Sequence, residues 1–296
     1  MQLGFLVKTI LLVNKTKASL GLGVSMTLPM VSKLTRMHSI GFDDDDVKVT
    51  PVFAKYVNRA NIILTPSVLA FEKRSDHHFT YPGYHELAYL HPNRFTPDPA
   101  VWVTLGLEAG TPYFILRFNS FEAHHDQGEQ GMSYGQKMEL IDKLSNKGKL
   151  FISTESKMDA ALEIYHLKCS PEQMHSVLAF ATLYVGESQT MTSEAAVLGT
   201  PALKCNTFAG RLSIPNELEN KYGLCYSFLP NDFDNMMAKI DELLAIPNLK
   251  SEWQLRREQM LQDKIDVTAF LVWFVENYPK SVEIVKKDKN YVNRFK

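Results

Sequence analysis

The chain has 296 residues, enough for one large domain or two modest ones with real cores. Its 32 Lys and Arg against 33 Asp and Glu leave a formal net charge of -1, which argues against nucleic acid as the main partner. Three widely spaced cysteines, Cys169, Cys205 and Cys225, exclude a disulfide framework or a thiolate metal site and read as the reduced, packed thiols of a cytoplasmic protein.

Residues 2–17 have an amphipathic helical look, with Phe5, Ile10 and Leu11 apolar and Lys8, Lys15 and Lys17 basic. The apolar run 3–13 is interrupted by Lys8 and followed by no small-residue cleavage site, so neither a signal peptide nor a membrane span is expected. Residues 20–24 read as a glycine-bearing strand and turn, 27–36 as a helix, and 39–42 and 61–64 as strands. The acidic run 43–46 could ligate a divalent cation beside a diphosphate, yet after a strand it reads as a solvated turn, and no metal is expected. Residues 79–99 (FTYPGYHELAYLHPNRFTPDP) are dense in proline, aromatics and histidine, as in an extended interdomain connection. Within it Tyr84, His85 and Glu86 could touch a sugar or acceptor, or could pin the connection to the domains.

Residues 113–118 (YFILRF) read as the first strand of a second domain. Arg117 and Asn119 at its end, and His124, His125 and Asp126 in the loop beyond, occupy the edge where open α/β sheets bind ligands. A His-His-Asp set there could serve acid–base chemistry near neutral pH. The rival readings are zinc, for which the ligand set is incomplete, and hydrogen bonding within a loop. A helix over 134–146 and a strand over 150–154 follow, and Ser170-Pro171 opens the helix that carries His175.

The stretch 183–204, LYVGESQTMTSEAAVLGTPALK, reads as strand, polar turn, short helix closed by Gly199 and Pro201, and strand again. A helix starting directly after a strand turns its unpaired N–H groups and positive dipole end toward the carboxyl edge of the sheet, which makes an anion site suited to phosphate. Ser188 or Thr190 caps this helix. Glu194 shares a face with Thr190 and suits sugar hydroxyls better than phosphate. The same features also describe an ordinary capped helix.

Beyond it, Arg211 in the loop 206–212 could grip a phosphate bidentately or lie on the surface. Residues 232–244 form an amphipathic helix with Met236, Met237 and Ile240 in the core, and 265–278 the most apolar helix, capped by Asp266 or Thr268. The basic tail 286–296 is expected to fray, and could brush acidic membrane lipids.

The segment Glu-Ser-Gln-Thr-Met-Thr-Ser-Glu-Ala-Ala-Val-Leu-Gly-Thr-Pro (187–201) resembles the nucleotide-sugar segment of non-hydrolysing UDP-N-acetylglucosamine 2-epimerases. It is also similar to the donor segment of glycosyltransferases with two facing Rossmann-like domains. With TPS (65–67), YPGYHELAYL (81–90), AHHD (123–126) and ELENKYGL (217–224), the chain resembles the family named domain of unknown function 354. The resemblance implies that Ser188, Gln189 and Thr190 contact a diphosphate, that Glu194 holds the ribose, and that Met174 and His175 lie near the base. Gln189 stands where the epimerase motif has a glycine, so its side chain must swing aside for a diphosphate to approach the backbone.

The expected fold is therefore α/β, two Rossmann-like domains facing a cleft (GT-B-like), with domains at 1–95 and 96–264 and a crossover helix and basic tail at 265–296. The amino-terminal domain looks truncated against the resembled proteins, with an unprotected sheet edge that invites homo-oligomerisation. The expected activity is a nucleotide-sugar-dependent glycosyltransferase of cell-surface polysaccharide assembly, taking a UDP-linked sugar and an acceptor and needing no cofactor. A 2-epimerase-like enzyme and a nucleotide-sugar-binding protein without turnover are the alternatives.

Overall fold

The computed structural model describes residues 2–72, 74–119, 130–154 and 159–296. The chain divides into two compact units, Met1–His85 with Lys264–Lys296, and Glu86–Asp263.

In the first unit, α1 (Gln2–Thr16) leads into β1 (Leu20–Gly23), α2 (Thr27–Leu34), β2 (His38–Phe42), α3 (Pro51–Val57), β3 (Ile62–Pro66) and β4 (His78–Tyr81). The strands form one parallel sheet in the order β1-β2-β3-β4. β3 is buried along its whole length, as its Ile-Ile-Leu run requires of an inner parallel strand. β1 is an edge, and Leu22 on it and Phe5, Leu11 and Leu12 on α1 are exposed. β4 lies partly within the stretch expected to be a plain connection. Its Phe79 and Tyr81 alternate inward with period two, a signal masked by the surrounding prolines and histidines.

Residues 43–46 are not a solvated turn. Asp43 is 2% exposed and paired with the Arg74 guanidinium, which also donates to the Asp45 carbonyl at 2.7 Å and to Glu72 Oε2 at 2.8 Å. Burial raises the Asp43 carboxyl above its usual range, and Arg74 opposes that rise. So dry an ion pair persists because the planar guanidinium finds an acceptor for several of its donors.

The second unit contains two short helices, α4 (Leu87–Leu90) and α5 (Val101–Thr104), followed by β5 (Tyr113–Phe118), α6 (Tyr134–Ser145), β6 (Lys149–Thr154) and α7 (Met174–Phe180). Then come β7 (Leu183–Gly186), α8 (Gln189–Val197), β8 (Ala202–Cys205), α9 (Ser213–Asn220), β9 (Cys225–Phe228), α10 (Phe233–Leu244) and α11 (Leu249–Asp263). Its five parallel strands run β6-β5-β7-β8-β9, a doubly wound order that reverses direction between β5 and β7. α11 escapes a sequence reading because its apolar stripe is narrow: Leu249, Trp253 and Met260 are buried in an otherwise polar helix.

After Asp263 the chain returns to the first unit as α12 (Val267–Glu276) and α13 (Lys280–Lys287). Asp266, rather than Thr268, caps α12, its Oδ1 accepting from the Ala269 amide at 2.9 Å. Phe270 and Phe274 pack on β4, with ring centroids 5.6 Å from Tyr81 and 6.4 Å from Phe79. The expected frayed tail is ordered instead. Val285 and Val292 are buried, and Tyr291 stacks on Trp273 at 4.7 Å, because aromatic residues among the lysines give the segment something to bury. No described helix is long and apolar enough to cross a membrane.

Candidate functional site

The reversal between β5 and β7 opens the carboxyl edge of the second sheet, the position at which doubly wound folds bind ligands. β7 ends at Gly186, where an added Cβ would meet the Tyr184 hydroxyl at 2.4 Å and Arg117 Cβ at 2.9 Å, so glycine lets the two strands close up. The chain then turns through Glu187 and Ser188 into α8.

Ser188, not Thr190, is the cap: its backbone is extended and its Oγ accepts from the Met191 amide at 3.3 Å. Among the described residues the amides of Gln189 and Thr190 have no acceptor. Thr190 is exposed, whereas Glu194 is 8% exposed. One Glu194 oxygen, Oε1, accepts from the Tyr89 hydroxyl at 3.0 Å and meets His175 Nε2 at 3.1 Å. The Tyr89 ring lies tilted against His175 with centroids 5.3 Å apart, and Phe95 meets the same imidazole edge-on at 5.9 Å. His175 and Glu194 are thus brought together by α7 and α8, with an aromatic cluster beside them.

Glu187 is the residue the sequence reading passes over. It is 1% exposed, and its carboxylate accepts from the Asn119 amide at 2.8 Å, the Met132 amide at 2.7 Å and Lys137 Nζ at 3.0 Å. Its own carbonyl accepts from Asn206 Nδ2 at 2.7 Å. One side chain therefore joins the end of β5, the approach to α6 and the turn after β7. Burial pushes its carboxyl above the ordinary range, against the pull of Lys137 and the two amides.

Lys204, at the end of β8, was also missed. It is fully buried, and its ammonium donates to Gln189 Oε1. Burial pushes it down to about 8. A lysine inside the apolar run ALKC was its sequence signal, since buried lysines are rare without a partner.

Of the other candidates, Arg117 Nη1 donates to Ser153 Oγ on β6 at 2.7 Å, and Arg211 is exposed and lies over the Phe208 ring at 5.1 Å. Tyr84, in the first unit, is fully buried under the Lys264 ammonium at 4.2 Å, and His85 Nδ1 sits 3.0 Å from Asp44. Glu86 begins the second unit and is buried, its carbonyl accepting from Leu90. His124, His125 and Asp126 lie outside the described residues. Among the described residues no group of three or more His, Cys, Asp or Glu could hold a metal ion.

The far end of α8 is held by α11. Gly199 closes the helix at φ 73, and Arg257 Nε donates to the Val197 carbonyl at 2.8 Å. Gln254 Nε2 donates to the carbonyls of Leu198 and Gly199, each at 3.1 Å. Gln254→Ala is expected to cost about 1 kcal/mol in urea unfolding, because two buried-end carbonyls lose their donor. A change within error would mean that solvent replaces that donor fully.

Neither a family model nor a curated protein matches the chain, so the family resemblance rests on the motifs alone. Solved structures do match. A UDP-N-acetylglucosamine 2-epimerase is 14% identical, with 93% of this chain and 77% of that one covered at a TM-score of 0.58. An O. sativa protein crystallised with UDP and deoxynivalenol-3-glucoside is 13% identical, with 87% and 76% covered at 0.57. A glycosyltransferase from Rickettsia africae is 10% identical, with 94% and 80% covered at 0.50. At these identities the likeness is one of fold: α/β, with two parallel sheets, resembling GT-B glycosyltransferases and 2-epimerases.

Proposed function

We propose that this chain is a nucleotide-sugar-dependent glycosyltransferase that holds a UDP-linked donor at the start of α8. The observation that carries the reading is the mouth of α8 at the strand-order reversal, with two amides lacking a described acceptor and Glu194 one turn inside. Those amides and the helix dipole suit a diphosphate, and the Glu194 carboxylate suits ribose hydroxyls. The likeness in fold to UDP complexes supports the choice of UDP.

In this mechanism the acceptor oxygen bonds to the anomeric carbon as the bond from that carbon to the diphosphate oxygen breaks. Charge gathers on the departing diphosphate, where preoriented amides stabilise it without reorganising. In this reading one of His124 and His125, which lie in the sequence between Asn119 and Met132, takes the acceptor proton, and the amides of those two flanking residues are bonded to Glu187. Assignment of the acceptor to cell-surface polysaccharide, and of the protein to the cytoplasm, rests on the motif resemblance and the cysteine pattern.

The test is thermal unfolding with UDP, UDP-N-acetylglucosamine, ADP and GDP. A ligand at a hundredfold excess over its Kd adds about 2.7 kcal/mol to stability, a clear rise in Tm. The UDP compounds should produce it, and Ser188→Ala and Glu194→Ala should remove it. No shift with any diphosphate defeats the proposal. The 2-epimerase reading is favoured by the likeness in fold to such an enzyme. UDP release that needs no acceptor would select it, and release only with acceptor the transferase.

A further inference from the structure

Resting on the reading of α8 as a diphosphate site, we propose that Lys204 and Gln189 form a relay that makes this site selective for a diphosphate. Buried Lys204 fixes the Gln189 carboxamide with its oxygen inward and its NH2 outward, where it donates to the ligand.

The chemistry of the pair sets the orientation. An ammonium can only donate, so the atom facing Lys204 must be the Gln189 oxygen, and the NH2 is left pointing away from it. Gln189 is partly exposed, and no described residue accepts from its NH2. The Gln189 side chain thus adds a directed donor beside the amides of Gln189 and Thr190, polarised by the cation behind it.

The location of the cation is the second part of the argument. Lys204 Nζ reaches the first residue of α8, at the positive end of the helix dipole, where a cation is disfavoured and an anion favoured. Gln189 Oε1 is its single hydrogen-bond acceptor among the described residues, although an ammonium has three donors. The titratable groups facing it are Glu219 of α9 and the Cys225 thiol of β9. Glu219 is already engaged by the Ser227 amide at 3.1 Å, and burial pushes its carboxyl up. No described carboxylate is hydrogen-bonded to Lys204, and a diphosphate brings more negative charge toward it than a monophosphate. Because burial holds Lys204 near 8, the ammonium is present at pH 7 and lost as the pH rises toward 9.5.

Calorimetric titration with UDP and UMP tests the relay on the wild type, Lys204→Met and Gln189→Glu. Lys204→Met should weaken UDP about tenfold, the size of one charge-assisted hydrogen bond, while UMP changes by about twofold at most. Gln189→Glu keeps an acceptor for Lys204 but turns a carboxylate oxygen outward, and should weaken UDP at least as much. Raising the pH from 7 to 8.5, below the range in which the uracil base itself ionises, should weaken UDP binding to the wild type and leave Lys204→Met unchanged. If Lys204→Met fails to fold, Gln189→Glu and the wild-type pH series decide the matter. Wild-type affinity in both variants, with binding still lost in Ser188→Ala, overturns the relay and leaves the diphosphate site standing. A wild type that binds no nucleoside diphosphate removes that site and the relay together.

Discussion

Glu187→Ala is expected to cost the second unit about 3 kcal/mol and to abolish its response to UDP. The carboxylate is shut away from solvent and serves three donors at once, so its loss leaves the amides of Asn119 and Met132 and the Lys137 ammonium without the acceptor they now share. The Met132 amide is buried and the Asn119 amide half-buried, and an unmatched buried donor costs more than a formed bond contributes, whereas the partly exposed Lys137 ammonium can turn to water. The functional effect follows from the same contacts. Glu187 directly precedes the Ser188 cap while its side chain holds the end of β5, so removing it loosens both walls of the strand reversal. Glu187→Gln should fall between the two: its carbonyl still accepts one hydrogen bond, but its NH2 meets donors. Urea unfolding, followed by circular dichroism and by tryptophan fluorescence, measures the cost. A loss below about 1 kcal/mol, the worth of one ordinary hydrogen bond, would mean that solvent readily replaces the carboxylate.

Lys204→Met should stabilise the ligand-free protein at pH 7, a gain set against the loss of diphosphate affinity. The folded value of about 8 lies below the ordinary 10.5, a difference of 2.5 units from 10.5 − 8. At 1.36 kcal/mol per unit, keeping this fully buried group charged costs the folded state about 3 kcal/mol. The lost bond to Gln189 returns about 1 kcal/mol of that, leaving a net gain of about 2 kcal/mol. The sign over pH is fixed by the depressed value. This group's contribution to stability is complete above 10.5 and is lost as the pH falls through about 8. The advantage of the methionine variant is therefore greatest at and below pH 7 and shrinks toward pH 10. Paired urea titrations at pH 7 and pH 10 measure it, with the other titrating groups cancelling in the difference. A methionine variant less stable than the wild type at pH 7 would show that the cation is well solvated by its surroundings.

Much of the second sheet is readable because its cues are local. The run YFILRF is a strand over the same six residues in the structure, and LYVG and ALKC flank α8 as expected. Gly199 announces the end of α8 through a left-handed residue, and the start is legible to within Ser188 or Thr190, of which the structure selects Ser188. Other elements are hidden for stated reasons: β4 by its prolines and histidines, α11 by its narrow stripe, and the carboxyl-terminal turns by their lysines.

The strand, the turn and the direction of α8 were therefore determined by the sequence alone, because propensity, capping and the strand-to-helix junction act between near neighbours. Which polar groups are buried there, and what they hold, only the tertiary structure decided. Glu187 meets Asn119 across 68 positions and Tyr89 meets Glu194 across 105. Contacts at that range depend on which strands lie side by side, and the pairing of β5 with β7 is written in neither strand by itself.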